Sequence, residues 1–156
     1  KAREYGVATR FIELAGEINT SMPEYVVGAL VTILNDLGRA LKGARVLILG
    51  VAYKPNIGDP RESPGLTIIE LLQERGAKVD YSDPYVPVLP RTREFDLGLK
   101  SVDLTVESVA SYDVVLVVTA HDLFDFDFIV QHARLVLDTR NATKNVKFGR
   151  SKIHKA

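Results

Sequence analysis

The sequence predicts a doubly wound α/β fold, with a mostly parallel, Rossmann-like sheet of about five strands preceded by two helices. Three observations carry this. Short β-branched runs such as "RVLIL" and "DVVLVVT" are apolar at every position, as strands covered on both faces are. Helix-period segments alternate with those runs. Turn residues punctuate each exchange from one period to the other.

In chain order, Val7, Ala8, Phe11, Ile12, Ala15 and Ile18 recur at helical spacing, predicting an amphipathic helix over residues 3–18. Ser21 with Glu24 has the form of a capping box, and Pro23 sits in the first turn of a second predicted helix over 22–37. The first strand is Arg45–Leu49. Ser63 as N-cap, Pro64 at the first position and Gly76 as a stop predict a helix over 64–75. Strands are expected at 78–82 and, more briefly, at 101–104. The proline-bearing segment between them reads as irregular. A short helix at 105–111, a strand at 113–119, a helix at 125–132 and a strand at 134–138 complete the series. From Lys144 the chain reads as a polar, basic tail with a frayed end.

The bulk properties exclude several function classes. Twenty basic and twenty acidic residues cancel, so no global field points to nucleic acid or an anionic membrane, and any anion site must be local. No apolar run has transmembrane length and no signal peptide opens the chain, which fits a cytoplasmic protein. With no cysteine, the chain offers no thiolate nucleophile or thiolate metal site, and its three histidines are too scattered for a zinc motif.

In doubly wound sheets ligands bind beyond the carboxyl ends of the strands. The loop 50–63, "GVAYKPNIGDPRES", follows the first strand with an unusual load of charge: Lys54, Asp59, Arg61 and Glu62. Asp83 and Tyr85, then His121 and Asp122, then Arg140 and Asn141 follow the later strands. Lys54, Arg61 and Arg140 on one rim, beside a helix opening at Ser63, form a cradle for phosphates. Tyr53 is either a stacking face for a base or a core residue. Asp59 and Glu62 are read as orienting Arg61, and His121 with Asp122 as a polar cap on the next helix. The loop has neither the G-x-G-x-x-G fingerprint nor a P-loop lysine, so it is not a standard dinucleotide turn.

The stretch "GVAYKPNIGDPRESPGLTIIELLQERGAKVDYSDPYVP", with "DTRN" at 138–141 and "TRFIELAGEINTSMPEYVV" upstream, resembles the C-terminal part of the UDP-glucose/GDP-mannose dehydrogenase family. The wording is closer to members acting on UDP-N-acetylglucosamine or UDP-N-acetylmannosamine than to UDP-glucose members. Such enzymes oxidise the sugar C6 alcohol to a carboxylate with NAD through a cysteine thioester. The resemblance implies that residues 1–42 end a central helical region that forms a homodimer. It makes 43–150 a UDP-sugar-binding domain and 151–156 a tail. It matches Lys54, Tyr53 and Arg140 to substrate contacts and Arg61 to the cofactor cleft. The catalytic cysteine and most of the NAD site would then lie in a longer enzyme serving polysaccharide biosynthesis, and this chain alone would be inactive. Gly58 stands where many members carry an acidic residue, and is expected to loosen the loop. Two alternatives stay open: a UDP-glucose 6-dehydrogenase fragment, and a non-catalytic dimerisation or nucleotide-binding module.

Overall fold

The computed structural model describes residues 10–89, 91 and 96–156. Five parallel strands form one sheet: β1 (Arg45–Leu49), β2 (Lys78–Ser82), β3 (Val114–Val117), β4 (Val136–Asp138) and β5 (Ile153–Lys155). Their spatial order is β2-β1-β3-β4-β5. The order reverses between β1 and β3, which puts the ligand-binding crevice of this fold class at their carboxyl ends.

Period-two alternation along each buried strand divides the core between two faces. Val46, Ile48, Val114, Leu116 and Leu137 face the layer made by α1 (Arg10–Asp36) and α2 (Pro64–Glu74). Leu47, Leu49, Val115, Val117 and Val136 face α3 (Val106–Ser111) and α4 (Phe126–His132). Each fully buried Leu, Ile or Val of these faces is worth about 1.5–3 kcal/mol, and the two clusters hold the sheet between its helices.

Two expectations are corrected here. The first concerns the two N-terminal helices, which are one continuous helix over the described part, with Pro23 inside it. Proline's fixed φ is helical, so the helix can pass through it at the cost of the bond to the Asn19 carbonyl and of ring crowding against that carbonyl. Thr20 and Ser21 turn their hydroxyls onto the Gly16 and Ile18 carbonyls (2.8 and 2.9 Å), so Ser21 is an interior residue, not a cap. Glu24, expected to complete that cap, bridges to Arg75, the C-cap of α2, at 2.6 Å. The part of the first predicted helix over residues 3–9 lies outside the described residues.

The second correction concerns the strands. The expected strand at 101–104 is a single bridge from Ser101 to Tyr81, whereas the expected tail supplies the fifth strand, with Asp138 of β4 opposite Lys155 of β5. Two 3-10 turns, Ala142–Asn145 and Arg150–Lys152, carry the chain there. Three residues with one apolar side chain are too few to show a strand period in sequence.

Candidate functional site

The loop after β1 is long, but it is fastened at nearly every step. Gly50 turns out of the strand at φ 77°, where a Cβ atom would stand 2.2 Å from the Thr119 carbonyl oxygen. Only glycine allows the β1 and β3 exits to approach so closely. The Thr119 hydroxyl donates to the Ala52 carbonyl (2.6 Å), and the Val51 and Ala52 amides donate to Asp83 Oδ2 (2.8 and 3.2 Å). Tyr53 N–H donates to the Asp59 carbonyl at 2.8 Å and closes the tip. Gly58 packs on the Tyr85 carbonyl, where a Cβ would lie at 2.7 Å. The absence of a side chain there serves close contact and fastens the loop, against the expectation that it loosens it.

His121 and Asp83 lie beneath this loop. His121 is 0% exposed, accepts the Asn56 amide at Nδ1 (2.8 Å) and faces Asp83 Oδ2 through Nε2 (3.0 Å). Because Nδ1 accepts, the network assigns the hydrogen to Nε2, which donates to the carboxylate. Asp83 Oδ1 takes the Tyr85 and Val86 amides (2.8 and 3.1 Å). The Asn56 side chain exchanges two hydrogen bonds with Asp122 (2.8 and 2.9 Å). His121 and Asp122 therefore pin the β1 loop; the N-cap of α4 is Asp125, not this pair.

What the fastened loop presents is Lys54 and Tyr53. Tyr53 is 51% exposed, which removes its core reading, and Lys54 Nζ lies 5.6 Å from its ring centroid. Among the described residues Lys54 makes no ion pair. Arg61 differs: its Nε and Nη2 meet Asp59 in a bidentate pair (2.9 and 2.8 Å). The hydrogen bonds from Arg61 hold the Asp59 carboxyl down at about 2. Arg61 is thus oriented by Asp59, as read from the sequence, and its charge is compensated.

The helix N-terminus expected in the cradle has little to offer. Pro64 has no N–H, Gly65 N–H goes to the Ser63 hydroxyl (3.1 Å) and Leu66 N–H to the Ser63 carbonyl (3.2 Å). Its first orphan donors are spent on its own cap.

Arg140 lies across the switch point, on the loop after β4, with β3 between it and the β1 exit. Two ladder steps separate those strands, about 10 Å. Asp138 organises this loop as Asp83 organises the other, accepting from the Arg140, Ala142 and Thr143 amides (2.9, 3.1 and 2.9 Å), the Thr143 hydroxyl and Lys155. The Arg140 guanidinium makes no hydrogen bond or ion pair among the described residues. It borders an open hollow of about 560 Å³ with Asp138, Thr139, Asn141, Lys155 and Ala156. The same edge of the sheet therefore carries two uncompensated cations, Lys54 after β1 and Arg140 after β4, with one half-exposed aromatic ring beside Lys54. Such a set can hold an anionic ligand with a planar group. No metal-ligating cluster occurs among the described residues.

The family model for the UDP binding domain of the UDP-glucose/GDP-mannose dehydrogenases matches residues 47–145, the span from β1 through the Arg140 loop. This chain belongs to that family. This dehydrogenase-family domain is 34% identical over 140 residues to the UDP-N-acetyl-D-mannosamine dehydrogenase of Methanococcus maripaludis, covering 85% of this chain and 30% of that protein. It is 32% identical over 142 residues to the UDP-glucose 6-dehydrogenase of Haloferax volcanii, covering 89% and 31%. Among solved structures, the UDP-glucose dehydrogenase of Pyrobaculum islandicum superposes with a TM-score of 0.72 at 27% identity, over 99% of this chain and 34% of the other. The Pyrococcus horikoshii UDP-D-ManNAc dehydrogenase, at 24% identity and TM-score 0.77, shares the fold over 99% of this chain and 35% of its own. The chain spans about 30% of the length of the curated relatives it matches.

Lys155, Asp138 and Thr143 went unnoticed in the sequence as parts of the site. The one available signal was the aspartate that closes "RLVLD", two residues before Arg140.

Proposed function

We propose that this chain is the UDP-sugar-binding part of an NAD-dependent nucleotide-sugar 6-dehydrogenase, of the UDP-N-acetylglucosamine or UDP-N-acetylmannosamine type. The observation that carries this reading is the pair of uncompensated cations, Lys54 and Arg140, on either side of the switch point of a UDP binding domain. Lys54 and Arg140 neutralise the diphosphate, and Tyr53 offers its exposed ring to the base or the sugar. Arg61 faces the cofactor side and, with its charge matched by Asp59, contributes hydrogen bonds more than net charge. Bound NAD would supply the hydride acceptor for oxidation at the sugar C6 carbon, with Arg61 at its cleft, while Lys54, Tyr53 and Arg140 hold the substrate. The domain boundaries at 42–43 and 150–151, work in the cytoplasm and a place in polysaccharide synthesis belong to the same proposal.

Calorimetric titration with UDP tests it. Lys54→Ala and Arg140→Ala should each weaken binding about tenfold, the scale of a lost charge-assisted hydrogen bond, while Arg61→Ala changes it less than about twofold. If neither of the first two changes matters, the site is misassigned.

A second copy of the chain is the proposed partner of α1. Phe11 is 89% exposed, and Ile12, Leu14 and Ile18 are at least half exposed on the same turns, an apolar face on the half of the helix that precedes its buried residues. Removing residues 1–38 would not isolate this role, because Val26, Val27, Leu30 and Leu34 of α1 are core. Ile12→Glu with Ile18→Glu leaves that core intact. Light scattering should then show a dimer in the parent chain and a monomer in the variant; a monomeric parent removes the reading.

A further inference from the structure

We propose that Lys155, the last residue of β5, is the positioning residue for Arg140, so that β5 is a working part of the anion site. The role of Arg140 as a diphosphate contact rests on the function proposed above. The hold on its loop is a separate claim, with its own readout.

Lys155 borders the same hollow as Arg140 and at first sight is a second ligand cation. Its donors say otherwise. An ammonium group has three N–H bonds. They go to Asp138 Oδ2 (2.5 Å), Thr143 Oγ1 (3.0 Å) and Asn141 Oδ1 (3.1 Å), which leaves none for a ligand. Each of those acceptors belongs to β4 or to the loop that carries Arg140. Asn141, the next residue, adopts a left-handed φ of 54°, and its side-chain oxygen is tied to Lys155. On the other flank, the Arg140 amide is tied to Asp138. Arg140 is thus fixed at its own amide and at the next residue, while its guanidinium makes no hydrogen bond or ion pair among the described residues. The parallel register brings Asp138 and Lys155 side by side, so the clamp is set by the strand pairing itself.

A cation is needed at this point, and a neutral donor would not serve. Asp138 is 1% exposed, and a buried carboxylate without a counter-charge is strongly disfavoured. Burial pushes its pKa up, but the hydrogen bonds from Lys155 and Thr143 outweigh that and hold it below the ordinary carboxylate range. An ionised Asp138 is what gathers the three loop amides.

The test uses Lys155→Met, which keeps the apolar stem and removes the ammonium, in the full chain. Amide hydrogen exchange without ligand reads the hold directly. The Arg140, Ala142 and Thr143 amides should exchange at least about tenfold faster in the variant, with the Val115 and Leu116 amides of β3 unchanged. Unchanged loop exchange, or equal acceleration across the whole sheet, overturns the proposal. UDP titration in a double-mutant cycle reads the consequence: Lys155→Met should weaken binding about tenfold in the parent and less than about twofold in an Arg140→Ala background. An equal loss in both backgrounds means that Lys155 touches the ligand itself, and overturns it as well. If the parent chain binds no UDP, the functional reading falls and the exchange result alone decides the hold. Should Lys155→Met fail to fold, Lys155→Gln, a shorter neutral donor, is judged by the same two readouts.

Discussion

Asp83 and Asp138 do the same work at two strand ends. Each is buried, each accepts at least three backbone amides from the loop that follows or faces it, and each faces one side chain that can carry positive charge: His121 for Asp83, Lys155 for Asp138. The two cations proposed to meet the ligand, Lys54 and Arg140, stand on the loops so organised. The Asp138 arrangement has a pH signature. Its folded pKa lies below the ordinary aspartate value of 3.8, so its contribution to stability is fully present above about pH 4 and is lost as the pH falls through the folded value. Asp138→Asn should therefore lower stability at pH 7 and flatten the loss of stability below pH 4, measured by denaturant melts across that range. An acid limb as steep as the parent's would show that Asp138 is not among the groups that titrate there. Gly50 is the other residue with a sharp expectation. Gly50→Ala adds a Cβ 2.2 Å from the Thr119 oxygen at a left-handed φ, which should cost at least about 2 kcal/mol and disturb the Lys54 loop together with the β3 exit.

The elements divide by how they earn their stability. α1 draws it from packing on α2 and the sheet: Leu30 and Leu34 are essentially unexposed, and Leu30→Ala should cost about 2–5 kcal/mol in a denaturant melt. A loss below about 1 kcal/mol would mean that α1 is docked only loosely. β5 draws its stability from three residues of ladder, the three hydrogen bonds of the Lys155 ammonium and the packing of Ile153. Truncation after Lys152 leaves Asp138 buried without its cation, which should cost about 3 kcal/mol and lower Tm by roughly 6–12 °C. The same division explains what could be read in advance. β1, β2, β3 and β4 lie in β-branched or apolar stretches, α2 and α4 carry N-caps, and the bounds of all six agree with the expected ones to within a few residues. The single helix across Pro23 could not be read, because Ser21, Pro23 and Glu24 satisfy every local rule for a helix start while the decision lies in the packing of Val26, Val27 and Leu30. β5 could not be read because "IHK" has no period of its own and is a strand only beside β4. In the site, Lys54, Tyr53, Arg61 and Arg140 were visible as charge and aromaticity after strands. The Asp59–Arg61 pair, two residues apart, was legible as well, whereas the buried network beneath Lys54 depends on contacts 38 and 65 residues apart that no spacing rule reports.

For the molecule as a whole, the balance of twenty positive and twenty negative residues means that any preference for an anion is built locally. Two exposed cations on an open edge are subject to full ionic screening, whose reach falls from about 10 Å at 0.1 M salt to about 3 Å at 1 M. That predicts a specific contrast between two ligands that share a base. UDP, held by Lys54 and Arg140 through its phosphates, should bind this chain about tenfold more weakly in 1 M than in 0.1 M sodium chloride. Uridine, which carries no phosphate and can meet only the Tyr53 ring and its surroundings, should bind weakly and with no salt dependence beyond about twofold. Parallel titrations at the two salt concentrations, repeated with Lys54→Ala, separate the contributions, since the variant should lose part of the salt dependence of UDP and none of the affinity for uridine. Equal salt sensitivity of the two ligands would sink the assignment of the phosphates to this pair of cations, because a local charge site on a neutral domain has no other way to respond to salt.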